Sequence, residues 1–291
     1  RERDVFVSAA KELGAEVNVQ NANGDVEEQI SQIEYFIKKQ VDVIVVVAGD
    51  CEALSDVMIK AREAGIKTVS YDRLIMNAGC DLYISFDNTE VGRLMAESML
   101  ENIPDGGDIF LIQGPLTDNN VSLIREGIDE TLAGSNLNVV YEANCPGWIA
   151  ENAYTYTKEG LKLDRNVKGI ICGNDDLASQ AFRALSEERL AGKVCVTGQD
   201  GDLAACQRIV EETQEMTAFK SVEQEASLAA KCAVLLGLGE EIEEVQDTAY
   251  DGTYNVPYLE LQPIAVTKEN MDEVIIKGGF HAKEDVYLNV N

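Results

Sequence analysis

Apolar positions along this chain alternate between two periods. Over residues 1–13 ("RERDVFVSAAKEL") Val5, Ala9 and Leu13 recur near helical spacing, and Gly14 stops the run. "GDVEEQISQIEYFIKK" repeats the helical pattern, with Asp25 placed to cap it and Ile30, Ile33 and Ile37 along one face. Between the two, "EVNVQ" (16–20) reads as a short strand. "VDVIVVVA" (41–48) is almost unbroken β-branched sequence, the mark of a strand buried on both faces of a parallel sheet. A helix over 52–64, ended by Gly65, leads to the strand "KTVSYD". A second strand, "LYISFD" (82–87), and the helix "TEVGRLMAESMLENI" follow.

The alternation then continues. Strands are expected at "DIFLIQG" (108–114), "NVVYEA" (138–143), "KGIICGN" (168–174), "KVCVTGQD" (193–200) and "MTAFK" (216–220), each followed by a helical segment. Such an order predicts right-handed βαβ units, hence an α/β protein of doubly wound parallel sheets with helices on both faces. About ten strands suit two sheets of five or six better than one. The divide is expected near Gly114–Pro115, where "QGPLTDNN" brings the two breakers together.

Charge narrows the function. With 52 acidic and 24 basic residues the net charge is −28, so no basic stripe is available to displace counterions from nucleic acid. The same balance disfavours anchoring on an anionic bilayer. No apolar run approaches the ~20 residues of a membrane helix; the longest, "VIVVVA" (43–48), is strand-sized, so no membrane insertion is expected. The chain opens on "RERDVFV" without a signal-peptide pattern or initiator Met, which reads as a processed or trimmed product. Seven cysteines stand singly at 51, 80, 145, 172, 195, 206 and 232, without any C-x-x-C. That spacing fits neither a disulfide scaffold nor a zinc site, and buried packing is expected. A single histidine, His281, leaves little scope for zinc or imidazole chemistry, and neither metal nor cofactor is expected.

In open α/β sheets ligands bind beyond the carboxyl ends of the strands. "TVSY" ends in Asp72-Arg73, and "IFLIQGPLT" is followed by Asp118-Asn119-Asn120. "VVYEANCPG" leads to Trp148, the one tryptophan; "GIICG" to Asn174-Asp175; "VCVTGQ" to Asp200; and "MTAF" to Lys220. Any one of these could be a solvated strand end. Together they mix carboxylates, amides, two cations and an aromatic, with no nucleophile–base pair. A polyhydroxylated small molecule needs such a set, because each hydroxyl can donate to a carboxylate and accept from Arg, Lys or Asn. Trp148 could be core, but Pro146-Gly147 place it on a loop, where an indole can cover the C–H face of a sugar ring. Asp202 reads as a helix cap, Asp87-Asn88 likewise, and Asp175 as either cap or ligand. "GLGEE" (237–241) lacks the third glycine of a dinucleotide loop and follows a helix, and no phosphate-loop, zincin or nucleophile-elbow motif is present. Carboxylate acid–base catalysis stays open, although interspersed cations suit binding better.

The segments "VQNANGDVEEQISQIE", "YDRLI", "YISFDNTEVG", "GW" with "ENA", "GQDGDLAACQRIVEETQEMTAFK" and "IIKGGFH" carry a resemblance. The chain resembles the bacterial sugar-binding proteins of the periplasmic type I class, and within it the D-xylose-binding branch, over nearly its whole length. The resemblance implies two similar lobes joined by a three-crossover hinge, closing on sugar in the cleft between them. It implies a first lobe of residues 1–113 plus 221–263 and a second of 114–220 plus 264–291. It puts Asp72 and Arg73 on the sugar from the first lobe, and Asp118, Asn120, Trp148, Asn174 and Asp200 from the second, with Lys220 at a crossover. The family also begins with a strand and loop that supply an arginine and an aromatic, whereas this chain opens inside the helix that follows them. The function implied is a non-catalytic extracytoplasmic receptor, periplasmic or tethered as a lipoprotein. It would hand D-xylose or a similar pentose to an ABC transporter permease, or report it to a membrane sensor kinase. A repressor effector domain and a sugar-modifying enzyme are the remaining readings.

Overall fold

The structure is a computed structural model and describes residues 1–245 and 247–290. Its contacts divide it into two units. Unit 1 comprises residues 1–87, 117–120 and 221–261; unit 2 comprises 88–116, 121–220 and 262 onward.

Unit 1 is built from α1 (Glu2–Glu12), α2 (Val26–Lys39), β1 (Val43–Val46), α3 (Ser55–Glu63), β2 (Lys67–Tyr71) and β3 (Leu82–Phe86). It is completed by α9 (Val222–Leu238), β9 (Asp247–Tyr250) and β10 (Asn255–Leu261). The sheet runs β1-β2-β3-β10-β9, parallel except where β9 meets β10. All five residues of β3 are buried, as a strand covered on both faces demands. Asp25 caps α2, its carboxylate accepting from Glu28 N at 3.0 Å. The β9–β10 hairpin is organised by Asp251, fully buried, whose carboxylate accepts from Gly79 N (2.6 Å), Thr253 N (2.9 Å) and Tyr254 N (2.7 Å). The expected strand at 16–20 is not formed: the segment has no regular secondary structure and pairs with no strand among the described residues. Among the described residues β1 pairs with β2 alone. A groove lined by Arg3, Val7, Lys11, Val19 and Asn21 runs between α1 and residues 19–21.

Unit 2 contains α4 (Asn88–Asn102), β4 (Gly107–Gln113), α5 (Asn119–Leu132), β5 (Leu137–Asn144), α6 (Glu151–Leu163) and β6 (Gly169–Cys172). It continues through α7 (Asp175–Glu187), β7 (Cys195–Gln199), α8 (Leu203–Val210), β8 (Met216–Phe219), β11 (Ile264–Val266) and α10 (Lys283–Val286). Its sheet runs β11-β8-β7-β6-β4-β5. By contacts the first change of unit falls at Asp87–Asn88, whereas the sequence places a divide at 113–114. β4 lies between β5 and β6 in the second sheet, so Gly114–Pro115 marks a strand end and not a linker.

Two glycines let α4 and α5 cross with their backbones in contact. A Cβ on Gly92 would lie 2.0 Å from Ile124 O, and one on Gly127 would lie 2.0 Å from Thr89 O. All seven cysteines are unpaired and six are buried, with burial pushing the Cys145 thiol up to about 11 and Cys51 to about 12.

Candidate functional site

In unit 1, β2 carries four consecutive buried residues, Thr68 to Tyr71, to a sharp stop at Asp72. Asp72 has φ 61°, a left-handed conformation that costs a non-glycine residue about 1–3 kcal/mol unless its surroundings enforce it. They do so here. Asp72 N donates to Ile84 O at 2.8 Å, while the Asp72 carbonyl accepts from Ser85 Oγ at 2.7 Å and from Asn120 Nδ2 at 3.1 Å. Arg73 Nη1 donates to Ala48 O, beyond the end of β1, at 3.0 Å. Its Nε lies 3.0 Å from Asp118 Oδ2 and 3.7 Å from Asp72 Oδ2. Asp118 is itself held by Asn120, whose backbone N donates to Oδ1 at 3.0 Å. The contacts place residues 117–120 with unit 1, so Asp118 and Asn120 join Asp72 and Arg73 instead of the second-lobe residues with which they were expected. Asn120 Oδ1 is buried without a hydrogen-bond partner, an acceptor that a ligand hydroxyl could satisfy.

In unit 2, strands β5-β4-β6-β7-β8 have the chain order 2-1-3-4-5, which reverses direction between β4 and β6. Such a reversal opens a crevice at the strands' carboxyl ends. Trp148 fills that place. It closes a three-residue 3-10 turn, Pro146–Trp148, with φ 57°, a genuine outlier for so bulky a side chain. Its indole lies on Gly114 and Gly173, at the ends of β4 and β6. A Cβ on Gly114 would meet the ring at 2.3 Å, and one on Gly173 at 3.2 Å. These glycines escaped the sequence reading, because nothing in the one-dimensional pattern shows that a ring needs their missing side chains.

The remaining candidates follow the next strands in turn. Asn174 caps α7, its Oδ1 accepting from Leu177 N at 2.9 Å, and its Nδ2 remains a donor. Asp200 follows β7 with φ 103°, again outside the range comfortable for a side chain. Lys220 follows β8 and is buried. Asp202 occupies the N-cap position of α8 but makes no side-chain cap bond.

Asp175, read from the sequence as cap or ligand, takes a third role. It is fully buried and turned toward the Asp200 loop. Burial pushes its carboxyl up to about 8, with the Thr217 hydroxyl pulling down and Asp200 and Asp202 pushing up. A carboxyl raised above its unfolded value of 3.8 adds stability that is fully present below that value and lost as pH rises through about 8. Urea midpoints of the wild-type chain should therefore fall between pH 5 and pH 9. Asp175→Asn should flatten that slope, and an equally steep slope in the variant would refute the assignment.

Among the described residues no group of three or more His, Cys, Asp or Glu side chains is placed to hold a metal ion. No helix among them is long and apolar enough to cross a membrane.

Comparison with known proteins identifies the family. Residues 2–241 match the model of the periplasmic binding protein domain. The chain is 44% identical to the D-xylose-binding periplasmic protein of Haemophilus influenzae, an alignment spanning 99% of this chain and 87% of that protein. It is 40% identical to the D-xylose-binding periplasmic protein of Escherichia coli, over 98% of this chain and 88% of that one. Among solved structures, an ABC transporter solute-binding protein from Clostridium phytofermentans with bound β-D-glucose superposes with a TM-score of 0.89 at 26% identity, covering 98% and 94% of the two chains. These relatives are solute-binding receptors and not enzymes. With its two α/β units of largely parallel strands, the chain belongs to the periplasmic binding protein family and has the type I fold.

Proposed function

We propose that the chain is a receptor for D-xylose or a closely similar pentose, bound through Asp72, Arg73, Asp118 and Asn120 of unit 1 and Trp148, Asn174, Asp200 and Lys220 of unit 2. One observation carries the reading of the site. Asp72, Trp148 and Asp200, each beyond the carboxyl end of a strand, all hold positive φ angles of 61°, 57° and 103°. Strain of this kind persists where function repays it. The names of the relatives at 44% and 40% identity supply the sugar. The carboxylates take hydroxyl protons, Arg73 and Lys220 donate, and the Trp148 indole covers the ring's apolar face. Arg73 sits beside Asp72 and Asp118, so their charges are partly offset before any neutral ligand arrives.

The receptor acts outside the cytoplasm and delivers its sugar to the permease of an ABC transporter, whether free or tethered as a lipoprotein. No observation favours a sensor kinase as partner, and that alternative is set aside. Isothermal titration with D-xylose should show one-site binding. Absence of heat with D-xylose, other pentoses and hexoses alike would overturn the reading.

A further inference from the structure

The turn Asp200–Gly201–Asp202 is gripped from two sides by residues that the sugar site does not include. From α7, Asp175 Oδ2 accepts from Gly201 N at 3.0 Å, Asp202 N at 3.0 Å and Thr217 Oγ1 at 2.7 Å. Its other oxygen accepts from Gln214 Nε2 at 3.1 Å. Gln214 is fixed in turn, its Oε1 accepting from Arg208 Nε at 2.9 Å, and Arg208 Nη1 donates to Ser179 Oγ at 3.0 Å. From the C-terminal segment, His281 Nε2 lies 2.8 Å from Gly201 O. That carbonyl can only accept, so the bond assigns the proton to Nε2. Phe280 packs edge-on against both Phe219, at the end of β8, and the His281 ring, which holds the imidazole in place.

The gripped backbone is a strained one. Asp200 and Gly201 hold φ 103° and 75° in succession, and Asp200 N donates to Ala218 O at 3.0 Å. A Cβ on Gly201 would lie 2.7 Å from the Phe219 ring, so glycine is required there on two counts. Helix capping explains none of this, because Asn174 caps α7.

We propose that Asp175 and His281 are positioning residues for sugar binding, holding the peptide groups next to Asp200 so that its carboxylate is presented beyond β7. The inference rests on the reading above that Asp200 meets the sugar. Asp175 holds the amide side of the turn and His281 the carbonyl side, so the peptide between Gly201 and Asp202 cannot rotate without losing bonds at both ends.

The test is a double-mutant cycle on the full chain, read by calorimetric titration with D-xylose. Asp175→Asn should weaken binding about tenfold and His281→Ala about threefold, the latter figure from one lost hydrogen bond. In an Asp200→Ala background both losses should shrink to less than about twofold, because the group they orient is gone. Equal losses in the two backgrounds would mean a general effect on the fold and would overturn the proposal, as would wild-type affinity in both single variants. Hydrogen exchange provides a readout independent of sugar. The Gly201 and Asp202 amides should exchange at least about tenfold faster in Asp175→Asn, with β6 amides unchanged. Unchanged exchange at those two amides would sink the clamp even if sugar binds. Faster exchange without any sugar binding would instead retain the clamp and refute the receptor reading. Should Asp175→Asn fail to fold, Thr217→Val and His281→Ala carry the same measurements.

Discussion

Asp72→Ala and Asp200→Ala should each weaken D-xylose binding at least about a hundredfold while leaving the far-ultraviolet circular dichroism unchanged. A hydrogen bond to a charged group contributes about 1.5–3 kcal/mol, and a carboxylate facing a pentose can accept two. Each 1.4 kcal/mol is tenfold in affinity, so two such bonds account for about two orders of magnitude or more. Truncation also leaves the hydroxyls unpaired in a desolvated site, which adds to the loss. Alanine fits the left-handed backbone no better than aspartate does, so the strain at φ 61° and 103° stays while its return is lost. The comparison variant is Asp176→Ala, an exposed carboxylate in the first turn of α7 beside the buried Asp175. Calorimetric titration of the three proteins decides the matter. Losses of less than about fivefold in both site variants would remove these carboxylates from the sugar.

Gly92→Ala and Gly127→Ala should each destabilise the chain by about 3 kcal/mol or more, a sign opposite to the usual one. In a helix with room, alanine is favoured over glycine by about 1 kcal/mol. Here the added methyl would stand 2.0 Å from a carbonyl oxygen of the facing helix. Neither backbone can yield locally, so α4 and α5 must separate by an ångström or more along their crossing. The packed layer of Val91, Met95, Ile124 and Ile128 would open with them. Gly237→Ala, in α9, is the control: its Cβ would find its nearest neighbour, a valine methyl, at 3.3 Å, and little change is expected. Urea midpoints compare the three, and a stabilised Gly127→Ala would mean that the helices cross less tightly than described.

Much of the fold was legible because parallel sheets write themselves strongly into sequence. The β-branched run at 41–48 and the helical face of Ile30, Ile33 and Ile37 each correspond to an element of unit 1. The β9–β10 hairpin was not read. "DTAYDGTYNVPYLEL" is polar and broken by Gly252 and Pro257, and it is ordered by Asp251, whose partners include the distant Gly79. The segment 16–20 failed for the opposite reason: its alternation is strand-like, but a strand exists only with a neighbour to bond to. The sequence drew the first divide to Gly114–Pro115 because that pair has the composition of a linker, whereas the change of contacts at Asp87–Asn88 has no breaker at all. The strand-end rule picked out Asp72, Trp148 and Asp200, each of which follows a strand of its own unit. It did not show that Asp118 and Asn120 bond to Asp72 and Arg73, since residues nearly fifty positions apart carry no common pattern. Nor did it reveal that Asp175 faces inward, because aspartate at a helix start reads as a cap whichever way it points.

The acidity of the chain has a colloidal consequence. Two copies that approach one another bring together bodies of net −28, and the repulsion opposes their association. In dilute buffer, with a Debye length near ~30 Å at 0.01 M, that repulsion reaches well beyond the molecular surface. Near 1 M salt the reach falls to about 3 Å, so association between copies is expected to depend steeply on ionic strength.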